Sequence, residues 1–307
     1  MTTDIEKRLL ELRKQAIQLR EQEKANQVEV LSPQYDLFPS DEVDETKIAE
    51  KEVEVFDRLF LPSLLSSAWL PRQGSKVMKH ERAYGNLSII VSTGYKRGLE
   101  PLYVPTGLIP RRILTALTTR AILTKSRFVD VSSISALLSD MNLSINGNQI
   151  KRVQKQLIQL ARSRVEILFT YRDAQGKQRE VFYDGNIFRR LNAEVEETGQ
   201  GRLVPNVIEF DQHFYERVLK GHAVPYSQEL YLCNSSLTHD VFLWLERRMF
   251  DKHAGEISIS YDALWRQFGS GSTMTGMFKK RLKESIAEVS KLLELNIEVR
   301  RKDVLLK

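Results

Sequence analysis

The sequence predicts an α+β fold made of two winged-helix domains in tandem, each a helix-turn-helix unit closed by a β-hairpin wing, behind an N-terminal helix and a linker. Three observations predict it. The order helix, strand, helix, turn, helix, hairpin runs over residues 111–185 and returns over 237–307. The third helix of each passage is amphipathic and basic. A chain of 307 residues is also long enough for about two separate cores. The expected divisions are an N-terminal helix with an acidic linker (1–55), a first winged-helix domain (56–200) and a second (201–307).

Residues 4–27 read as a helix, because Ile5, Leu9, Leu12, Ala16 and Leu19 recur at three- and four-residue steps and Thr3 or Asp4 can cap its start. Its short apolar stripe fits a docking helix and a solvated arm equally. Residues 28–55 hold Pro33, Pro39 and the run DEVDE and read as a linker; Asp41, Glu42, Asp44 and Glu45 read as solvated charge rather than a metal site. NLSIIVSTG (86–94) alternates as a strand does. Pro110 suits the first turn of the helix RRILTALTTRAILTK (111–125). A short strand RFVDV (127–131), a Ser-capped helix (132–141), the turn LSINGN and a basic helix QIKRVQKQLIQLAR (149–162) follow. RVEILFTYRDAQGKQREVFYDG (164–185) reads as a hairpin turning at Asp173–Gly176.

Near the C-terminus the same series is LTHDVFLWLERRMF (237–250), EISIS (256–260), YDALWRQFG (261–269), the turn GSGSTMTG, the helix 277–295 and a hairpin 296–307 turning near Arg301–Asp303. The copies align at an offset of about 128 residues, which pairs Ile150 with Phe278, Lys151 with Lys279, Arg152 with Lys280, Ile158 with Ile286 and Ala161 with Val289. A repeat of that length means duplicated domains rather than a solenoid.

Charge points to the partner. The net charge is only +6, but residues 111–164 hold ten Lys or Arg against two Asp, whereas residues 36–58 hold nine acids against three bases. A polyanion is drawn to the first stretch and repelled by the second. In a helix-turn-helix unit the second helix enters the major groove, where Asn and Gln pair with adenine and Arg and Lys with guanine. On the first basic helix Ile150, Val153, Leu157 and Leu160 make an inner face, leaving Asn146, Asn148, Gln149, Lys151, Arg152 and Lys155 for double-stranded DNA. On the second, Phe278, Leu282, Ile286 and Val289 are inner, and Ser272, Thr273, Thr275, Lys279, Lys280 and Lys283 face the duplex. Arg172, Lys177 and Arg179, and Arg300, Arg301 and Lys302, are hairpin-tip residues expected to touch phosphates. Arg111 and Arg112 sit at a helix front where the dipole favours a phosphate, or else form a solvated helix start. Tandem recognition helices sit about one turn of DNA, roughly 34 Å, apart, for a target on the order of 20 base pairs.

Catalytic readings fail on spacing. Gly271–Gly276 matches a phosphate-loop interval, but Met277 stands where the Lys belongs. The five histidines, His80, His213, His222, His239 and His253, include no His-x-His pair and no zinc spacing. No enzyme, cofactor or metal is expected. The lone Cys233 lies in an apolar run as a buried thiol, and with no second cysteine a reducing, cytoplasmic setting is expected. No apolar run of membrane-spanning length exists and the N-terminus has no signal core, so no membrane partner is expected.

VPTGLIPRRILTALTTRAILTKSR (104–127), with Pro105, Gly107, Pro110, Arg111, Thr124, Ser126 and Arg127, resembles a stretch of the plasmid-encoded RepA-type replication initiators. SISALLSDMNL, QIKRVQKQLIQLARS, HDVFLWLERRM and ISISYDALWRQFGS extend the resemblance over about residues 86–295. It implies binding to repeated origin sites (iterons), opening of an AT-rich segment, and recruitment of the host initiator DnaA and the replicative helicase. It also implies a homodimer that represses its own gene beside a monomer that starts replication. The rival reading is a tandem winged-helix transcription regulator without initiator activity; a third is a scaffold that binds only protein.

Overall fold

The computed structural model describes residues 58–62, 65, 69–72, 74–95, 100–131, 133–172, 176–195, 203–220, 223–250, 256–269 and 274–306. The expected N-terminal helix, the acidic linker, and Ser272 and Thr273 lie outside the described residues.

LIPRRILTALTTRAIL carries apolar residues on every side, so the helix it forms is buried along most of its length, opening to solvent in its last turn. That helix, α1 (Leu108–Leu123), is buried continuously from Ile109 to Thr119. Gly107 leads into it at φ 83°, a backbone conformation that favours glycine. Pro110 falls in the first turn, where no N–H is needed. The threonines inside are satisfied: Thr115 Oγ donates to the Arg111 carbonyl at 3.0 Å, and Thr118 Oγ to that of Leu114 at 2.8 Å. Thr118 and Thr119 also grip strand β1 (Arg58–Pro62). Thr118 Oγ also lies 2.5 Å from the Phe60 carbonyl oxygen, so its one proton is shared between that carbonyl and Leu114's, and the Phe60 N–H donates to Thr119 Oγ at 2.8 Å.

Strands β2 (Lys79–Tyr84) and β3 (Leu87–Ser92) form a hairpin, then α1 leads to β4 (Phe128–Asp130), α2 (Ile134–Asp140) and α3 (Gly147–Ala161). Four strands follow: β5 (Arg164–Arg172), β6 (Gln178–Asn186), β7 (Phe188–Val195) and β8 (Leu203–Phe210). After a helical turn at Gln212–Phe214 and β9 (Ala223–Ser227), the second series is α4 (Ser236–Phe250), β10 (Ile257–Ser260), α5 (Tyr261–Phe268), α6 (Gly276–Leu292), β11 (Ile297–Val299) and β12 (Asp303–Leu306). The fold is α+β. Among the described residues no helix is long and apolar enough to cross a membrane.

The sheets correct two expectations. In the second series the hairpin strands β11 and β12 join β10 in the order β10-β12-β11. The matching sheet of the first series is β4-β8-β7, so its counterpart hairpin is β7–β8. The hairpin β5–β6, which the sequence marks as the first wing, instead extends β2–β3 into a four-stranded sheet of order β2-β3-β5-β6. Arg172, Lys177 and Arg179 therefore sit on an inserted hairpin. The division expected at residue 200 also falls between β7 and β8, two paired strands of one sheet. The halves interlock further, since β1 pairs with β9 and the described residues from 58 to 306 fall in one compact unit.

Two buried arginines tie the halves together and give the third correction. Arg111 and Arg112 are each only 4% exposed. Arg111 donates to both Asp240 oxygens, at 2.7 and 2.8 Å, and to the carbonyls of Leu70, Gly107 and Pro71. Arg112 donates to the carbonyls of Met141, Tyr231 and Cys233. Neither guanidinium is available to a phosphate. Burial by itself would raise the Asp240 carboxyl, but Arg111 and His239 beside it hold it below the ordinary carboxylate range. Cys233 is buried, and burial pushes its thiol up to about 12.

Removing one member of a buried pair strands the other, at a cost of about 3–5 kcal/mol, whereas an exposed pair contributes about 0–1 kcal/mol. Asp240→Ala is accordingly expected to lower the denaturant midpoint severely. Asp140→Ala, which removes the exposed partner of Arg120, should leave it nearly unchanged.

Glu246 links α4 to β9 and β1: its carboxylate accepts the Ser227 N–H at 2.9 Å and lies 3.4 Å from Arg58. Burial outweighs both contacts and raises its pKa from 4.5 to about 7. A raised carboxyl contributes stability below its unfolded value and loses it as pH rises through the folded one. Glu246→Gln keeps an acceptor for Ser227 but cannot ionise. Measured against the parent from pH 4.5 to above 7, it should gain relative stability on the order of 1–3 kcal/mol.

Candidate nucleic-acid interface

Both basic helices start on a side-chain cap followed by glycine. Asn146 accepts the Gln149 N–H at 3.0 Å ahead of Gly147, and Thr275 accepts the Phe278 N–H at 3.1 Å ahead of Gly276. The capping residues stand 129 positions apart, and so do the buried pairs Val153 and Leu282, Leu157 and Ile286, Leu160 and Val289. Core positions, not charges, set the register. The offset read from the sequence is therefore one residue short, and Lys151 corresponds to Lys280 and Arg152 to Arg281. Arg281 was not singled out in the sequence. The cap-plus-glycine signature, which marks both helix starts, was the signal that could have found it.

On α3 the buried residues are Val153, Leu157, Gln159 and Leu160. Asn148, Lys151, Arg152 and Lys155 are exposed on the other side, with no acid anywhere along the helix. Gln149 is half-exposed and its Oε1 accepts from Arg152 at 3.3 Å, which aligns the two side chains. Asn146 is exposed, but its Oδ1 serves the cap and its Nδ2 donates to Ser144 Oγ at 3.0 Å. Thr275 is likewise committed to its cap.

On α6 the core face is Phe278, Leu282, Ser285, Ile286 and Val289. Lys280 and Arg281 are exposed. Lys279 and Lys283 turn onto the ring of Tyr261, with ammonium nitrogens 5.3 and 5.6 Å from its centroid. Among the described residues none of Lys151, Lys155, Lys280 and Arg281 pairs with a carboxylate. At the hairpin β11–β12, Arg301 and Lys302 are exposed and Arg300 is turned back onto Glu298 at 3.1 Å. At the inserted hairpin Arg172, Lys177 and Arg179 are exposed. The chain thus presents two amphipathic helices with exposed cations, α6 also exposing Glu284 and Glu288; the hairpin after α6 joins β10, and the hairpin that joins β4 comes after the inserted β5–β6 that follows α3. That arrangement suits a polyanion with a groove wide enough for a helix.

No family model matches the chain, and neither does any curated protein. The fold is similar to a crystal structure of domains 2 and 3 of RctB, with a TM-score of 0.56 at 11% identity over 80% of this chain and 97% of that one. A second crystal structure of RctB domains 2–3 matches with a TM-score of 0.49 at 12% identity, over 79% of this chain and 94% of that one.

Proposed function

We propose that this protein is a DNA-binding replication initiator whose two helical units are winged helices. The first comprises α1–α3 with β7–β8, and the second α4–α6 with β11–β12. Each inserts its capped basic helix, α3 or α6, into the major groove of a repeated site. The observation that carries the reading is the repeat itself. Cap, glycine and three core positions recur at one spacing of 129 residues, on two helices that each turn Lys and Arg to solvent. The shared fold supports it, since RctB is a replication initiator, of Vibrio chromosome 2. The finer form of the proposal is a RepA-type plasmid initiator of the bacterial cytoplasm. It would bind iterons, open an adjacent AT-rich segment, recruit DnaA and the replicative helicase, and repress its own gene as a homodimer. The reading gives the chain no catalytic step, metal or cofactor.

The experiment is to supply the gene in trans to a fragment carrying the DNA that flanks it, and to footprint the protein on that fragment. Protected direct repeats together with replication of the fragment support the proposal. Protection without replication makes the protein a transcription regulator, and no protection defeats the DNA-binding reading.

If about 6–10 phosphates are neutralised, the log–log slope of affinity against salt should be about −5 to −9. Lys151→Ala combined with Arg152→Ala should weaken specific binding by about 2–5 kcal/mol in a titration on the protected repeat. An unchanged footprint at moderate salt would remove α3 from the interface.

A further inference from the structure

The second basic helix differs from the first in where its cations are held. At about 100° per residue, the core face of α6 puts Lys280 opposite the core and Lys279 and Lys283 together on one flank. Beneath that flank lies Tyr261, the first residue of α5 after the capping Ser260 and only 3% exposed. Its hydroxyl donates to the Arg300 carbonyl at 3.1 Å and its N–H to the Lys302 carbonyl at 3.4 Å, so the ring is fastened to the hairpin β11–β12. Both ammonium nitrogens lie over this ring, at 5.3 and 5.6 Å. An aromatic face attracts a cation and limits where a long side chain can go.

Among the described residues neither Lys279 nor Lys283 pairs with a carboxylate. Two positive charges therefore share one ring with no carboxylate paired to either among the described residues, and an anion with two accessible oxygens relieves their repulsion. A phosphodiester has that form, and Lys meets phosphate as a point charge. An ammonium held on a ring is poorly placed to reach a base edge deep in a groove.

We propose that Tyr261 is a positioning residue that makes Lys279 and Lys283 a phosphate clamp, leaving base readout on α6 to Lys280. The inference rests on the DNA-binding reading above and divides the labour of that helix. The first unit has no such clamp: Ile134 follows the capping Ser133 where Tyr261 follows Ser260, and Ile150 and Gln154 stand at the positions of Lys279 and Lys283. The clamp would give the second unit a sequence-independent grip that the first lacks.

The test uses the full chain with two short duplexes: a site selected from random DNA by the unaltered protein, and a scramble of the same composition. Lys279→Gln with Lys283→Gln should weaken binding to both duplexes by the same factor and flatten the log–log salt slope by about 1.8, or 0.9 per phosphate. Tyr261→Leu should act in the same direction, and Tyr261→Phe, which keeps the ring, should leave the slope as it was. Lys280→Ala should instead shrink the preference for the selected site over the scramble. The clamp is refuted if the lysine pair variant loses the selected site alone with its slope intact, or if a folded Tyr261→Leu keeps the parental slope. The lysine pair decides the matter if Tyr261→Leu does not fold. Failure of the unaltered protein to bind either duplex would instead defeat the DNA-binding reading on which the clamp depends.

Discussion

The buried pair of Arg111 and Asp240 constrains everything around it. Each charge sits on the first long helix of one unit, and each is nearly shut off from water. Taking both out of water costs several kcal/mol per ion, offset here by two charge-assisted bonds and three backbone carbonyls that complete the guanidinium's needs. Such a contact tolerates little displacement, because any gap leaves a naked charge. With Arg112 reaching the carbonyls of Tyr231 and Cys233, it locks α1 to the segment leading into α4. The basic helices α3 and α6 pack on α1 and α4, the two helices that this contact joins.

Under the proposed DNA-binding reading, this packing bears on how a duplex is met. Two helices held at one spacing can match two groove segments of a duplex only if the site has the complementary spacing, and the cost of ordering them is met on folding rather than on binding. Strand β1 adds to the same lock from the other side, through Thr118 and Thr119 on α1, its pairing with β9 and the Arg58–Glu246 contact.

The two units share a plan but have diverged at their edges. The first carries an extra hairpin, β5–β6, recruited into the sheet of β2 and β3, which moves Arg172, Lys177 and Arg179 away from the strand that precedes α2. Both have a three-stranded sheet, and the second places a tyrosine where the first has Ile134. One unit has gained a sheet and the other an aromatic platform beneath its lysines.

Local physics was legible in the chain. The Ser cap ahead of α2, the amphipathic stripes of α3 and α6, the alternation of β3 and the hairpin at the C-terminus each depend on residues a few positions apart, so periodicity and cap chemistry suffice to read them. The α+β class and the outward cations Lys151, Arg152 and Lys280 follow from the same rules. Three things depended on partners far along the chain. Arg111 looks like a phosphate ligand until Asp240 is found beside it. The hairpin β5–β6 looks like a wing until β3 claims β5 and β8 claims β4. The register of the repeat slips by one when the half-buried Ile150 and Ile158 are matched to the buried Phe278 and Ile286, because only the packing shows that Val153, Leu157 and Leu160 are the fully buried positions of α3. Sequence alone marked the long helices and the strands β3–β6 and β10–β12, with their apolar faces, but not β1 and β9, which pair with each other from far apart along the chain, nor β2, β7 or β8; tertiary packing decided which charges stay in water, since desolvation is set by neighbours that no local pattern records.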